Sequence, residues 1–596
     1  MKKYMPIILA SVLLLGGCNA GPKPEDKTVD RIVNRNIYSY DMEEDKITSE
    51  KMEVFFKANS EIPYINIRYG FKIFEVIRKT KKSKTSTVDV VLNGKKATVT
   101  NDAGATCVLD AEKQTIYFPD FDAFFHNDKA ANPLSLFDTS SLKSIAYSTD
   151  HPAEYKKGQS VTVDLAQYSL IDIYQSGGEL YMPTQAFSSL FLSSVDHMDI
   201  AYNMQDFFLV TVSSPFESEL AGFKSLNDYG EKFYSGPKAN TISKTYAEFN
   251  YQTILFNLDY TYGMKKAKNI TSFDQYFETK GYKKDMKSTD VHTLDNSFAY
   301  ALSSLVDFHT VKAGTTPLYG YEDGNADRTK FDKDWLAFNK GSEDLQKAKK
   351  SIIEKGDIQD GLDLELISGT AFISFNEFTD LNETVLYMDE AIKPKDQSVI
   401  NANTQLLFND AYKKITSKEN EGKIKYVVVD LSTNDGGSIS SVIYALCTLL
   451  GEVHLSQTNP LTGAASTVYF KADINADGKI DANDKSLYDL GYKIVFLDSK
   501  YSFSSANAMP VFAKDNNAKV TILGEKTAGG PCAIRETYNA VGAKYTQSSL
   551  LTLSKKQQDG SYIHIDGGVT PDVAVDEENM FNRLFLGSQM ATWIDR

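Results

Sequence analysis

The sequence predicts a multidomain α/β protein, in which a β-rich N-terminal region and a helical subdomain precede an α/β core. Its 596 residues exceed what one hydrophobic core accommodates, so three or four domains are expected. Two stretches, 425–450 and 492–525, each show a strand, a tight loop and a helix, which is the pattern of a parallel sheet. Short alternating runs of β-branched and aromatic residues fill 36–214 instead, and helical spacing begins at Ile242.

The chain begins with an export signal. After a basic start, residues 7–15 are apolar but too few to span a bilayer permanently, and Leu-Gly-Gly-Cys at 15–18 is a lipobox. We expect cleavage to remove residues 1–17, leaving a diacylglyceryl group on Cys18 and a polar tether over 18–35. An uncleaved anchor is the alternative. In both cases the sequence predicts a cell-membrane lipoprotein on the extracytoplasmic face, at the cell surface.

The composition excludes several classes of partner. The formal charge is −15, and it becomes −17 when cleavage removes two N-terminal lysines. Such an acidic surface repels nucleic acid and anionic lipid, so we expect no nucleic-acid partner and attachment to the membrane through the lipid on Cys18. Cys107, Cys447 and Cys532 remain, and an odd number of cysteines does not make a disulfide framework.

Residues 36–214 are predicted to form a β-rich stalk or adhesion region. The phrase Tyr-Met-Pro-Thr-x-Ala-Phe-x-x-Leu at 181–190 resembles the copper-amine-oxidase N-terminal-like module of bacterial surface proteins. No clustered copper ligands accompany this phrase in the sequence. The resemblance therefore implies a stalk or an adhesion module without catalytic chemistry.

Residues 242–365 are predicted to form the helical subdomain. Tyr246 and Phe249 begin a run of apolar residues at helical spacing. A second amphipathic helix is expected over 294–309, and a highly charged helix is expected over 332–354.

The α/β core is predicted for 366–596. Strands are expected at 425–431, 492–497 and 519–523, with helices over 438–450 and 504–515. Ser504 begins the second helix, at the carboxyl end of a parallel strand, where open α/β sheets bind their ligands. The N–H groups of a helix N-terminus stabilise developing negative charge, as a nucleophilic serine requires. Taken alone, Ser504 is more simply explained as an ordinary N-cap.

Three motifs favour a catalytic role for Ser504 over an ordinary N-cap. They are Asp-x-x-x-Asn-x-Gly-Gly at 430–437, Phe-Ser-Ser-Ala-Asn at 503–507 and Gly-Val-x-Pro-Asp at 568–572. In this order they resemble the tail-specific (C-terminal processing) and tricorn-type serine peptidases, over about 242–575. The resemblance implies a crotonase-like α/β core, an acyl-enzyme mechanism with Ser504 as nucleophile, a peptide or protein substrate and no organic cofactor. Residues 309–366 lack the pattern of the PDZ domain that many of these peptidases carry.

The same resemblance draws attention to a missing lysine. Bacterial tail-specific peptidases carry their catalytic lysine in Gly-Glu-x-Thr-x-Gly-Lys, whereas the matching stretch here ends in Gly530. The tricorn-type branch uses a histidine, and Leu-Val-Asp-Phe-His-Thr at 305–310 matches its Leu-x-Asp-x-His-Thr pattern. We therefore assign the general base to His309, with His564 as the rival. A histidine at a helix C-terminus that only complements the helix dipole is the alternative explanation of His309.

The remaining active-site groups also follow from the resemblance. An acid should orient the imidazole, and Asp566 is the nearest one, although the family has a glutamate there. The backbone N–H groups of Gly437 and Ser505 should form the oxyanion hole. The family's arginine in the first motif is Ser432 here. Because no lysine is present, a catalytically inactive, peptidase-like binding or adhesion lipoprotein remains the alternative function.

Residues 473–484, within an insertion at 470–490, fit the template of an EF-hand calcium loop and resemble the loop of dockerin repeats. A polar turn is the alternative. The predicted ligands of a structural Ca²⁺ are Asp473, Asn475, Asp477, Lys479 (through its carbonyl), Asp481 and Asp484.

Overall fold

The computed structural model describes residues 27–41, 44–80, 87–126, 142–193, 198–211, 224–320, 326–366, 368–389 and 393–595. The predicted signal peptide and Cys18 lie outside these ranges. The described chain is a mixed α/β protein with four β-sheets. None of its described helices has the length and apolar character needed to cross a membrane.

The first part of the chain consists mainly of short strands. They are β1 Arg31–Asp41, β2 Lys46–Phe56, β3 Tyr64–Asn66, β4 Val88–Asn93, β5 Lys96–Asn101, β6 Thr106–Asp110, β7 Thr115–Phe118, β8 Ile145–Tyr147, β9 Glu154–Lys156, β10 Val161–Asp164, β11 Tyr174–Ser176, β12 Glu179–Pro183, β13 Met198–Tyr202 and β14 Phe207–Thr211. The helices between them are α1 Ile67–Thr80, α2 Phe121–His126 and α3 Thr184–Phe187, which continues as a π-helical turn, Ser188–Leu192.

All of these strands except β8 and β9 form two sheets, ordered β11-β12-β3-β2-β1-β14-β13 and β10-β7-β6-β5-β4. The tether predicted over 18–35 is wrong at its C-terminal end, because residues 31–35 already belong to β1. Strand β1 begins at Arg31 and pairs with β2 along its whole length.

The middle of the chain is helical, with α4 Lys224–Tyr234, α5 Lys244–Thr261, α6 Phe273–Thr279, α7 Lys283–Met286, α8 Val291–Ser303, a 3-10 turn Arg328–Lys330 and α9 Lys333–Lys355. The helix predicted over 294–309 is wrong at its C-terminal end, because α8 stops at Ser303. Val306 then has a φ of 46°, in the left-handed region that β-branched residues avoid. His309 therefore lies on the loop after α8.

The core sheet carries the predicted α/β units. Its order is β15 Gly361–Glu365, β16 Thr370–Ser374, β17 Tyr426–Asp430, β20 Lys493–Asp498, β21 Thr521–Gly524 and β25 Val573–Ala574, and all neighbouring pairs except β15–β16 are parallel. The helices of this half are α10 Glu383–Leu386, α11 Gln397–Asn401, α12 Thr404–Ile415, α13 Ile439–Leu450, α14 Ser505–Asn516, α15 Glu577–Met580 and α16 Arg583–Ile594. Because β17 and β20 are parallel neighbours, the loops that follow them leave the same edge of the sheet.

A fourth sheet lies beside the core sheet. Its strands are β18 Val453–Thr458, β19 Ala465–Ala472, β22 Cys532–Tyr538, β23 Lys544–Lys556 and β24 Tyr562–His564, and its order is β22-β23-β18-β19-β8, with β24 on β23 and β9 on β19. Strands β8 and β9 come from the N-terminal region, whose residues also share one apolar core with Tyr545 of β23. The described residues between 36 and 214 are thus packed with the C-terminal half, which differs from the separate stalk or adhesion region that the sequence predicts.

Candidate active site

Ser504 occupies a strained position at the start of α14. Its φ of 57° and ψ of −122° lie outside the regions that side-chain-bearing residues ordinarily adopt. Its backbone N–H donates to the Gly529 carbonyl at 2.8 Å, which helps to hold this conformation. The Ser504 side chain makes no cap hydrogen bond, so the explanation of Ser504 as an ordinary N-cap does not hold.

Two glycines bring the loop after β17 against this serine. Gly436 and Gly437 have φ values of 116° and 123°, which favour glycine. A Cβ on Gly436 would lie 2.7 Å from the Cβ of Ser504, and a Cβ on Gly437 would lie 2.2 Å from the carbonyl oxygen of Phe378. Only glycines fit between these neighbours, which explains the Gly-Gly of the first motif.

The candidate oxyanion donors line the same cleft as Ser504, which has a volume of about 660 Å³. The Ser505 hydroxyl donates to the Gly437 carbonyl at 2.6 Å and so joins the two loops. Within the described part of the chain, neither the Gly437 N–H nor the Ser505 N–H donates to another protein group. Both donors therefore remain available to a ligand in the cleft.

His309 lines this cleft as well, and its ring packs against Phe503 with centroids 4.7 Å apart. The side chain is buried, and its Nδ1 has no hydrogen-bond partner in the described structure. Burial lowers the pKa of His309, although the charges of Asp307 and Asp566 oppose this shift. The rival His564 is exposed and lines a different cleft.

Asp566 lies on a 3-10 turn, Ile565–Gly567, beside the loop that ends in Gly530. Its carboxylate accepts the Gly530 N–H at 3.4 Å. Asn507 of α14 holds this turn by donating to the Ile565 carbonyl at 3.1 Å. The Asn507 oxygen in turn accepts the hydroxyl of Thr527 at 2.7 Å. Asn507, the asparagine of Phe-Ser-Ser-Ala-Asn, thus fixes the position of Asp566 relative to α14.

Asp307 is a second carboxylate near His309. Its two oxygens accept the His309 backbone N–H at 3.2 Å and the Thr310 hydroxyl at 2.7 Å. Asp307 therefore shapes the loop that carries the imidazole.

The structure gives a physical reason for the absent lysine. Gly530 has a φ of 83°, and a Cβ there would lie 2.5 Å from the Phe503 ring. A lysine at this position would displace the ring that packs against His309. Lys526 is exposed, and no lysine lines the cleft in the part of the chain that the structure describes.

The sequence did not predict an ionic cluster at the end of β17, the strand that leads into the glycine loop. Asp430, at the end of β17, is fully buried and pairs with Lys349 of α9 at 3.2 Å and Arg583 of α16 at 2.6 Å. Although burial opposes it, these two cations hold the pKa of Asp430 well below its usual range. The only signal in the sequence was Ser432, where the resembled family has an arginine. Ser432 now donates to Asp430, and the guanidinium comes from α16.

The predicted calcium loop connects β19 with the segment before β20. Both oxygens of Asp473 accept loop N–H groups, from Asp477 at 3.1 Å and from Gly478 at 2.7 Å. Asp484 accepts the N–H groups of Ile474 at 2.7 Å and Asp481 at 2.8 Å. The donor types fit Ca²⁺, but among the described residues no three acidic, histidine or cysteine side chains converge as a metal site. Calcium binding stays a prediction.

Comparison with known proteins supports a peptidase. Residues 374–575 match the model of peptidase family S41, the tail-specific protease family. The matched segment includes Ser504, Gly437 and Asp566, but it leaves out His309. No curated protein matches the chain.

Several solved structures are similar at low identity. A lipoprotein from Streptococcus agalactiae is 13% identical, with 59% of this chain and 96% of that chain covered and a TM-score of 0.34. A putative peptidase from Parabacteroides merdae is 14% identical, with 57% and 92% covered and a TM-score of 0.37. The photosystem II D1 C-terminal processing protease is 17% identical, with 38% and 48% covered and a TM-score of 0.26.

Proposed function

We propose that this protein is a serine endopeptidase that acts on peptides or proteins through an acyl-enzyme. One observation carries the proposal: a single cleft of about 660 Å³ is lined by Ser504, His309, Gly437 and Ser505. A nucleophile, a base and two free N–H donors around one cavity are the groups that acyl transfer requires.

In the first half of the proposed reaction, the Ser504 oxygen attacks the carbonyl carbon of the scissile bond. His309, neutral because burial lowers its pKa, takes the proton from the hydroxyl. The N–H groups of Gly437 and Ser505 stabilise the resulting oxyanion. When the tetrahedral intermediate collapses, the C–N bond breaks and His309 returns the proton to the leaving amine.

In the second half, a water attacks the acyl-enzyme, His309 accepts its proton, and Ser504 leaves protonated with release of the carboxylate product. Asp566 is the proposed orienting acid. Its charge opposes the lowering of the His309 pKa, so it stabilises the imidazolium that each half-reaction forms. The unpartnered Nδ1 of His309 is the atom to which this carboxylate would bind.

The proposed place of action is the extracytoplasmic face of the cell membrane. This part of the proposal rests on the lipobox and on the acyl group expected at Cys18. It is tested by mass spectrometry of the N-terminal peptide from detergent-extracted protein. We expect a diacylglyceryl cysteine at position 18, and an unmodified Met1 on the extracted protein would contradict cleavage and lipid attachment at Cys18.

Hydrolysis of an unfolded, fluorescently labelled protein tests the proposed activity. We expect turnover by the wild-type chain and at least a ~10³-fold loss in Ser504→Ala and in His309→Ala, because neither half of the pair functions alone. Ser588→Ala, which changes an exposed serine on α16, is the matched control. Full turnover by Ser504→Ala would contradict the proposal. A wild-type chain without turnover would favour the inactive binding protein.

A further inference from the structure

The charged groups around the Ser504 cleft all have one sign. Two carboxylates line it, Asp435 and Glu343, whereas no arginine or lysine of the described chain does so. His309, the remaining titratable base there, is held toward its neutral form by burial. The cleft therefore presents a negative potential to whatever binds beside the nucleophile.

Asp435 is next to the candidate oxyanion hole. It directly precedes Gly436 and Gly437, so its side chain projects from the loop that would hold the scissile carbonyl. The carboxylate is exposed, and no lysine or arginine in the described ranges forms an ion pair with it. Partial desolvation by its surroundings raises its pKa. A carboxylate that is unpaired and partly desolvated is stabilised when a ligand brings a cation to it.

Glu343 lies near the same loop but is already paired. Gln346, one turn further along α9, donates to the Thr433 carbonyl at 3.4 Å, which holds this face of the helix beside the loop that carries Asp435. Glu343 forms an exposed ion pair with Lys347. Because Lys347 offsets the charge of Glu343 and no lysine or arginine of the described chain does so for Asp435, Asp435 is the stronger determinant.

The rest of the cleft is suited to the stem of a long side chain. Phe308 and Phe338 stack with ring centroids 3.8 Å apart, and Phe338 lines the cleft from the same helix as Glu343. Ile439 and Ile534 add apolar surface to its walls. Lysine and arginine combine a long apolar stem, which such walls bury, with a cationic end that aromatic rings and a carboxylate attract.

We propose that the cleft selects peptides with a lysine or arginine side chain beside the scissile bond, and that Asp435 is the residue that reads the positive charge. This inference rests on the proposed function, because it assigns a substrate class to the same cleft. It predicts differences in the affinity for peptides, so it can be tested with a variant that does not hydrolyse them.

The test uses the full chain carrying Ser504→Ala and three fluorescent dodecapeptides that differ only at one central residue, which is lysine, norleucine or glutamate. Anisotropy gives the Kd of each. We expect the lysine peptide to bind about tenfold more tightly than the norleucine peptide, as for one charge-assisted contact, and the glutamate peptide to bind more weakly than both. Adding Asp435→Asn should bring the lysine-to-norleucine ratio close to one. Adding Glu343→Gln should change it much less.

Glu354→Gln, which removes an exposed charge from the last turn of α9, is the matched control and should leave the ratio unchanged. Equal affinity for lysine and norleucine, no binding of any peptide, or a ratio that survives Asp435→Asn would overturn the inference. Selective binding without turnover by the wild-type chain would instead overturn the proposed function alone. Turnover without a preference for lysine would overturn only the inference.

Discussion

Ser504 shows how a single residue can be held in a conformation that its own chemistry disfavours. Its positive φ is maintained by a hydrogen bond to the Gly529 carbonyl and by the close approach of Gly436. Strain of this kind persists where the surrounding structure enforces it, and it is concentrated at functional sites. The motif predicted which serine to examine, but its backbone strain could not be predicted because neighbours distant in sequence impose it.

Relief of this strain is measurable. We expect Ser504→Gly to raise the free energy of unfolding by about 1 kcal/mol, because glycine adopts a positive φ without steric cost. Turnover should be lost in the same variant. Urea unfolding monitored by fluorescence checks the first effect, with Ser588→Gly as a control that should destabilise its helix. A Ser504→Gly variant less stable than wild type would contradict the assigned conformation.

The protonation of His309 should set the acidic limit of the proposed activity. Burial lowers the pKa of this imidazole, so kcat/KM should rise with pH along a limb centred below the ordinary histidine value. Asp566→Asn removes a charge that raises this pKa, so it should move the limb to lower pH in addition to reducing kcat. A limb that stays in place would show that Asp566 does not act on the imidazole.

At the scale of elements, the two strand–loop–helix units were predictable because their signals are local. Apolar runs, glycine pairs and a serine before a helix placed β17–α13 and β20–α14 within two residues of the observed bounds. The end of α8 and the sheet that contains β22 were not predictable. A left-handed Val306 and strand pairs between distant segments leave no local pattern.

The ionic cluster at Asp430 should contribute strongly to stability. Arg583→Met leaves the buried carboxylate with Lys349 as its one cationic partner, and loss of one member of a buried pair typically costs about 3–5 kcal/mol. Equilibrium unfolding in urea measures the loss, and Lys350→Met, an exposed change on α9, is the control. A loss below about 1 kcal/mol would contradict the account, because it is the size expected of an exposed pair.

Calcium binding to the loop at 473–484 is tested by chelation. The ion would offset repulsion among four carboxylates and stabilise the segment before β20, so the melting temperature should fall when EDTA is added. Asp473→Ala should remove this response, whereas Asp559→Ala, at an exposed turn outside the loop, should retain it. Identical melting curves with EDTA and with added Ca²⁺ would count decisively against the site.

In the whole molecule, the N-terminal region is part of the structure that supports the candidate active site. Buried Arg535 of β22 donates to the Ser189 carbonyl, and Asp199 of β13 accepts the Thr537 hydroxyl at 2.7 Å. Strand β22 also lines the Ser504 cleft through Cys532 and Ile534. The sequence indicated the β-rich composition of this region, but not that its buried polar groups pair with the C-terminal half.

Removal of the N-terminal region should therefore destabilise the α/β half. A chain that starts at Gly236 loses the Ser189 carbonyl that accepts from Arg535, and it loses strands β8 and β9 of the fourth sheet. We expect it to aggregate or to be degraded by trypsin much faster than the full chain, since the edge of β19 and apolar residues of the shared core become exposed. Limited proteolysis of both chains provides the comparison, and an equally resistant fragment would mean that the two halves fold independently.

The proposed mechanism requires that His309 activates Ser504 as a nucleophile. Labelling with a fluorophosphonate probe, followed by peptide mapping in the mass spectrometer, tests it most directly, because the probe forms a covalent bond only with an activated serine. The account predicts one adduct, on Ser504, that disappears in Ser504→Ala and falls to background in His309→Ala, while both variants melt close to the wild type. An adduct on another serine, undiminished labelling of His309→Ala, or an unlabelled but folded wild-type chain would contradict it.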